Sequence, residues 1–282
     1  MTVSVTVPEI RARKRHRGDD PIVMITAYDA PFARLVDAAG VDIILVGDTL
    51  AEVVLGQGDT LHVGIEDMAH HVAAVARAHP RALVLGDMPW LSYHLEASDS
   101  VRNAAALVRA GAQAVKLEGG RRRVDAIRSI VDAEIPVMGH LGLTPQSVNA
   151  MGGYKVQGRE AVAASELRHD ATALSAAGCF AVVLEGVPDA LAERITAEVD
   201  IPTIGIDAGA ACNGQVIVLH DLLGLDEGDP ARFVRRYADL GSATTKAVSE
   251  WAADVRAGRY PSDAESYHAS AELRASLGLS GR

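Results

Sequence analysis

Eight short runs rich in branched apolar residues, each followed by an alanine-rich amphipathic stretch, leave few architectures open to this chain. The runs are Ile22 to Thr26, Asp42 to Gly47, Ala82 to Gly86, Ala114 to Leu117, Pro136 to Gly139, Ala181 to Leu184, Pro202 to Ile206 and Val216 to Leu219. They are continuously apolar rather than alternating, so both faces of each strand are buried, as in a parallel sheet under a helical shell. Eight such units in 282 residues fit a closed barrel, typically about 250 residues, better than an open doubly wound sheet. No GxGxxG follows the first strand, which weakens a dinucleotide-binding reading further. The predicted fold class is therefore α/β, a single (β/α)8 TIM barrel.

Helix punctuation agrees. Phe32, Leu35, Val36 and Ala39 recur at helical spacing, with Gly40 where a left-handed cap belongs, and a later helix opens at Thr144 with Pro145 in its first position. From Asp229 onward, Ala231 to Leu240 and Thr244 to Ala257 read as a final helix pair before a polar tail. No linker interrupts the pattern. Residues 1–21 are expected to form a basic arm or solvated helix, and residues 22–282 the barrel with its C-terminal helices and tail.

With 49% hydrophobic but only 4% aromatic residues, the core must be built from Ala, Val, Leu and Ile. A formal charge of -10, from 27 basic and 37 acidic residues, disfavours nucleic acid or an anionic membrane as partner. The basic run Arg11, Arg13, Lys14, Arg15, His16, Arg17, ending at Gly18-Asp19-Asp20-Pro21, is too short to overturn that. Cys179 and Cys212 make no CxxC pair, and no apolar run approaches the ~20 residues that cross a bilayer. A cytoplasmic protein acting on a small molecule is expected.

In such barrels the active site lies at the C-terminal ends of the strands. Here strand one runs into Tyr28-Asp29, strand two into Asp48-Thr49 and strand three into Asp87, while strand four carries Lys116 and Glu118. Strands five to eight end at His140, Glu185, Asp207 and His220-Asp221. Isolated buried charges are costly, so a converging ring of carboxylates with one lysine and one histidine demands a ligand or a metal. An aspartate after a strand is also an ordinary helix N-cap, and for Asp29, Asp207 and Asp221 both readings stay open. Asp48 and Asp87 leave buried strands at tight turns, where facing carboxylates repel unless a cation lies between them. Mg²⁺ suits them, because it is a hard ion that often takes one or two protein carboxylates and keeps its remaining waters. Lys116 and Glu118, two apart, share a strand face; the lysine can bind a substrate carboxylate while the glutamate steadies the metal's waters. His140 is either a substrate contact or a neutral buried histidine. Glu185 is expected to have its pKa raised by partial burial and to serve as general base, the alternative being an ion pair with Lys116 or His140.

Several strings make the pattern specific: Thr26-Ala27-Tyr28-Asp29, Leu45-Val46-Gly47-Asp48, Asp87-Met88-Pro89, Val115-Lys116-Leu117-Glu118-Gly119-Gly120, the run Gly139 to Asn149, and Gly152 to Gly158. With Leu184-Glu185, Asp221 and Tyr260-Pro261, they resemble ketopantoate hydroxymethyltransferase over nearly the whole chain. The resemblance implies a barrel of the phosphoenolpyruvate mutase/isocitrate lyase group, assembled as a homodecamer. It also implies transfer of a one-carbon unit from 5,10-methylenetetrahydrofolate to C3 of 2-oxoisovalerate, toward pantothenate. By position, Asp48 and Asp87 look like Mg²⁺ ligands and Glu118 like a residue reaching the metal through water. Thr49, Lys116 and His140 match contacts to the 2-oxo acid, and Glu185 matches the base. On that implication the oxo acid chelates the metal, which stabilises the developing enolate as the base takes the C3 proton.

Departures from the family pattern are Thr49 for serine, Glu52 for Met or Asn, His70 before His71 where Tyr is usual, Asp207 within a glycine-rich string, and Glu265 where a histidine is usual. They leave room for a different 2-oxo acid, with Asp207 expected to bring a charge into the mouth of the site. A lyase of the same barrel group is disfavoured, because no Lys-Lys-Cys-Gly-His loop is present. A non-catalytic metabolite-binding barrel is disfavoured by Glu185, since binding needs no base.

Overall fold

The computed structural model describes residues 4–14, 20–225, 228 and 230–279. Strands β1 (Ile22–Thr26), β2 (Ile43–Val46), β3 (Leu83–Asp87), β4 (Ala114–Glu118), β5 (Val137–Gly142), β6 (Ala181–Glu185), β7 (Thr203–Ile206) and β8 (Gly214–Ile217) close in sequence order into a parallel barrel, β8 pairing with β1. Helices in chain order are α1 (Val7–Ala12), α2 (Ala30–Ala38), α3 (Leu50–Val53), α4 (Ile65–Ala76), α5 (Ala97–Ala110), α6 (Val124–Asp132), α7 (Val148–Met151) and α8 (Ala161–Ala176). They continue with α9 (Asp189–Glu198), α10 (Leu219–Leu223), α11 (Leu240–Arg256) and α12 (Ala271–Ser276).

Strand periodicity divides the core in two. Outward positions such as Ile44, Val84, Val115, Val137 and Val182 meet the shell helices. Inward positions such as Met24, Ile43, Leu45, Leu83, Leu85, Met138, Val183 and Ile204 fill the barrel. Helix α1 closes the N-terminal end. Its start is set by a capping box between Thr6 and Glu9 and by Pro8 in the first turn. Its Ile10 is fully buried with Val5 against the interior cluster, so this helix is a stopper rather than the solvated element its charges suggest. Arg13 pairs with Asp42 at 2.8 Å, and Lys14 Nζ donates to the Thr196 carbonyl. Arg15, His16, Arg17, Gly18 and Asp19 lie outside the described residues, as does Asp229.

Three expectations need correction. Strand β8 begins two residues earlier than its hydrophobicity suggests, because pairing with β1 from Ile22–Gly214 to Ile25–Ile217 decides it. Gly214 fits there because a Cβ would stand 2.4 Å from the Ile22 carbonyl oxygen. Leu219 then opens α10, its N–H donating to Thr26 Oγ1 at 3.0 Å, which puts His220 and Asp221 in a helical turn rather than at the strand end. Residues 231–239 form turns and extended chain, not a helix; the one long C-terminal helix is α11. Pro145 does open a helical turn, but a 3-10 one, Pro145–Ser147, that runs into the four-residue α7.

No residue of α11 is buried, and Val248, Trp251 and Val255 are exposed along it. Among the described residues no helix is long and apolar enough to cross a membrane.

Candidate active site

The inward parity that runs Leu83, Leu85 and Ala114 through the packed interior continues at the strand ends into Asp87, Lys116, Glu118, His140 and Glu185. Register then sets neighbours: Asp87 pairs with Lys116 across β3 and β4, and Glu118 with His140 across β4 and β5. Acid therefore stands beside base at both steps. Lys116 Nζ is 2.8 Å from Asp87 Oδ1 and 3.9 Å from Glu118 Oε1. His140 Nδ1 is 3.4 Å from both Glu118 Oε1 and Lys116 Nζ, and its Nε2 is 3.2 Å from Glu185 Oε2. The Asp48 amide donates to Asp87 Oδ2 at 3.2 Å.

These groups line a cavity of about 200 Å³ together with Met24, Leu45, Val183 and Val216 below and Thr49, Glu52, Tyr154 and Asp221 above. That is smaller than the ~300–1,000 Å³ of sites holding drug-sized ligands. It suits a small acid. Gly142 shapes the Glu185 side: its φ is 95°, and a Cβ there would lie 2.1 Å from the Glu185 carbonyl oxygen, so only glycine lets the chain leave β5 this close to β6.

Burial, then repulsion from Asp87 and from Glu118, raises the Asp48 carboxyl well above the ordinary range. Burial also raises Asp87, opposed by Lys116. For Glu118, burial is outweighed by hydrogen bonding to His140, so its pKa falls. Burial and Lys116 act to lower His140, but Glu118 and Glu185 prevail and hold it at about 9. Lys116 is held in its charged form against burial by Asp87, Glu118 and Asp48. The donor role of His140 Nδ1 toward Glu118 follows from that protonation, rather than acceptance from the lysine.

Counting Asp48, Asp87, Glu118 and Glu185 against Lys116 and His140 leaves two uncompensated negative charges when all are ionised. Asp87 Oδ1 meets Lys116 Nζ at 2.8 Å and Glu118 Oε1 meets His140 Nδ1 at 3.4 Å, ion pairs whose geometry leaves both buried oxygens short of a fully aligned hydrogen bond. Among the described residues no three His, Cys, Asp or Glu side chains form a ready-made ligand shell. The donor chemistry nonetheless fits a hard divalent cation that takes two carboxylates directly and keeps its waters: oxygen-only, anionic and under-satisfied. Asp48 and Asp87 are the pair that fits, with Glu118 within the same ring.

The expected residues Asp48, Thr49, Asp87, Lys116, Glu118, His140 and Glu185 thus share one cavity. Glu185 makes the His140 contact weighed as its alternative, yet it still lines the cavity with 19% of its side chain exposed. Asp29 resolves as an N-cap, accepting from the Phe32 N–H at 2.8 Å. Glu265 is engaged in a capping box with Ser262. His70 is exposed against His71, whose Nδ1 lies 2.8 Å from the Tyr28 carbonyl oxygen. Asp207 is exposed and is not a lining residue, contrary to expectation, because Ile206 takes the inward position before it. Its φ is 50°, a left-handed conformation that side chains resist. Asp207→Gly is expected to raise stability by about 1 kcal/mol, read as a higher urea midpoint at unchanged slope; a lower midpoint would mean that its carboxylate stabilises the turn.

Two residues escaped notice because they carry no charge. Gln146 Nε2 donates to Asp48 Oδ2 at 2.9 Å and to the Met88 carbonyl at 3.0 Å, and its backbone N–H donates to Glu118 Oε2 at 3.1 Å. Tyr93 Oη donates to Gln146 Oε1 at 2.6 Å and accepts from the Glu118 N–H at 3.1 Å. The signal for Gln146 is its place within the run Gly139 to Asn149 that carries the family resemblance, just after Pro145 in the loop following β5.

Residues 4–263 match the family model described as ketopantoate hydroxymethyltransferase. A protein of Methylobacterium sp. (strain 4-46) named 3-methyl-2-oxobutanoate hydroxymethyltransferase is 57% identical, the match covering 91% of this chain and 89% of that one. One of the same name from Koribacter versatilis is 54% identical over 92% and 88%. Among solved structures, the phosphoenolpyruvate phosphomutase of Streptomyces platensis subsp. rosaceus superposes with a TM-score of 0.59 at 16% identity, covering 97% of this chain and 96% of that one. A 2,3-dimethylmalate lyase, described as a PEP mutase/isocitrate lyase superfamily member, gives 0.58 at 19% identity over 94% and 89%. At such identities the likeness speaks for the barrel alone.

Proposed function

Because this chain belongs to the ketopantoate hydroxymethyltransferase family, we propose that it moves a hydroxymethyl group from 5,10-methylenetetrahydrofolate to C3 of 2-oxoisovalerate, making ketopantoate for pantothenate. The observation that carries this reading is the buried ring of Asp87, Lys116, Glu118 and His140 in a small cavity with Glu185 on its wall. Asp48 and Asp87 would hold Mg²⁺, which when bound supplies positive charge against the negative charge that develops on the substrate.

The chain's own residues account for the rest. Lys116 and His140 place cationic N–H donors beside the substrate's carboxylate and keto oxygen, and Thr49 adds a hydroxyl at the rim. Glu185 accepts the C3 proton, its Oε2 standing 3.2 Å from His140 Nε2. The carbanionic C3 attacks the methylene carbon, a C–C bond forming as one of that carbon's two C–N bonds to the donor breaks; a water molecule then displaces the second C–N bond, its oxygen becoming the new hydroxyl and its proton going to the departing nitrogen. Burial strengthens every one of these interactions by excluding water.

Thr49 and Glu52 line the cavity while Asp207 does not, so the first two departures are the ones placed to change which 2-oxo acid is preferred. A methyl or methylene contact is worth ~1–3 kcal/mol, or roughly 10- to 200-fold in selectivity. The decisive assay gives the protein Mg²⁺ and a panel of 2-oxo acids in D₂O, follows C3 exchange by NMR, and then adds methylenetetrahydrofolate. Exchange followed by a hydroxymethylated product is expected, with 2-oxoisovalerate as substrate; exchange with no acid would leave a binding barrel instead. The unburied α11 also supports assembly with further copies, a homodecamer being the proposed form.

A further inference from the structure

The polar contacts behind the carboxylates have a direction, and two main-chain groups set it. The Glu118 N–H donates to Tyr93 Oη, so the hydroxyl must turn its own hydrogen elsewhere, and its other partner is Gln146 Oε1. With its oxygen so engaged, the Gln146 amide presents its NH₂ to Asp48 Oδ2 and the Met88 carbonyl. That carbonyl can only accept, which enforces the same orientation. The backbone N–H of Gln146 holds Glu118 Oε2. Gln146 and Tyr93 are almost wholly buried, at 4% and 2% exposure, so water does not compete for these bonds.

We propose that Gln146, held in orientation by Tyr93, is a positioning residue that engages one oxygen of Asp48 through its side chain and one of Glu118 through its backbone N–H, and so aims these carboxylates for cation binding. The proposal rests on the reading that Asp48 and Asp87 take a divalent cation. A side-chain donor on Asp48 and a main-chain donor on Glu118 each engage one oxygen, and the second oxygen of Glu118 faces Lys116 and His140. Partners behind metal-binding groups commonly account for 10–100-fold in affinity, because an unheld carboxylate samples orientations that do not bind. The relay also joins three loops, those after β2, β3 and β5, so a single amide coordinates groups far apart in sequence.

The test is Mn²⁺ binding by the whole, substrate-free protein, followed by electron paramagnetic resonance of the free ion. It compares the parent with Gln146→Met, Tyr93→Phe and Asp87→Asn, each with its metal-free thermal midpoint. Gln146→Met keeps length and the backbone N–H to Glu118 but removes the side-chain donors to Asp48, and should weaken Mn²⁺ by ~10–100-fold. Tyr93→Phe removes one neutral hydrogen bond on each side and should weaken it by ~3–10-fold. The unsatisfied buried groups should lower the metal-free midpoint of both variants, so Mn²⁺ binding is measured well below each midpoint, where a purely structural role would leave the affinity of the folded protein at the parent's value. Parent-like Mn²⁺ binding in both variants, with Asp87→Asn impaired, overturns the positioning role alone. Equal binding by the parent and Asp87→Asn overturns the cation reading itself and this proposal with it. If Gln146→Met does not fold, Tyr93→Phe decides by the same criteria.

Discussion

Asp87→Asn is expected to remove nearly all Mg²⁺-dependent turnover, at least ~10²-fold, while the barrel stays folded. Asparagine keeps the shape of the side chain and an oxygen for the Asp48 N–H, now 3.2 Å from Asp87 Oδ2. It loses the charge that faces Lys116 at 2.8 Å. Removing one partner of a buried ion pair is normally severe, but here Glu118 remains on the lysine and one source of repulsion on Asp48 disappears. Thermal unfolding without metal should therefore change far less than turnover. Titrating Mg²⁺ into an assay of ketopantoate formation separates the two effects, and parent-like rates at ordinary Mg²⁺ would end the assignment of Asp87 to the cation.

Glu185→Gln is expected to slow C3 proton exchange by ~10²–10⁴-fold, the usual worth of a positioned base. The amide keeps the position on β6 and has no proton affinity to use. Binding of the oxo acid should persist, since Asp87, Lys116 and His140 are untouched. Exchange measured by NMR in D₂O reads the proton step alone, without the one-carbon donor. An unchanged rate would transfer the role to another group in the cavity. Because Glu185 is the acid nearest His140 Nε2, the same variant should also lower the histidine's pKa from about 9, visible in its ring chemical shifts.

How far residues alone led can be judged at particular positions. The barrel followed from the doubly buried strands, and the ring of Asp87, Lys116, Glu118, His140 and Glu185 from the rule that strand ends carry chemistry; both depend on periodicity, which a chain displays openly. Strand β8 was misread because its pairing starts with Gly214 and Gln215, where a hydrogen-bonded partner rather than apolar character makes the strand. Residues 231–239 have helix-forming residues with no helix, since propensity alone is weak without a face to bury. Ile10 passed for part of a solvated helix because one apolar residue among charges carries no periodicity. Gln146 and Tyr93 matter through partners distant in sequence, and nothing local records those.

Helix α1 has a kinetic consequence. Val5 and Ile10 belong to the apolar cluster that fills the barrel interior below the cavity, so that end of the barrel is packed with side chains. A pocket with a single entrance imposes a queue: the reactant that lies deepest arrives first and leaves last. On the proposed reaction the oxo acid is seated before a bulky one-carbon donor covers the opening, and the product waits for the spent donor to depart. Initial-rate patterns should then be those of an ordered sequence, with the product competing against the oxo acid.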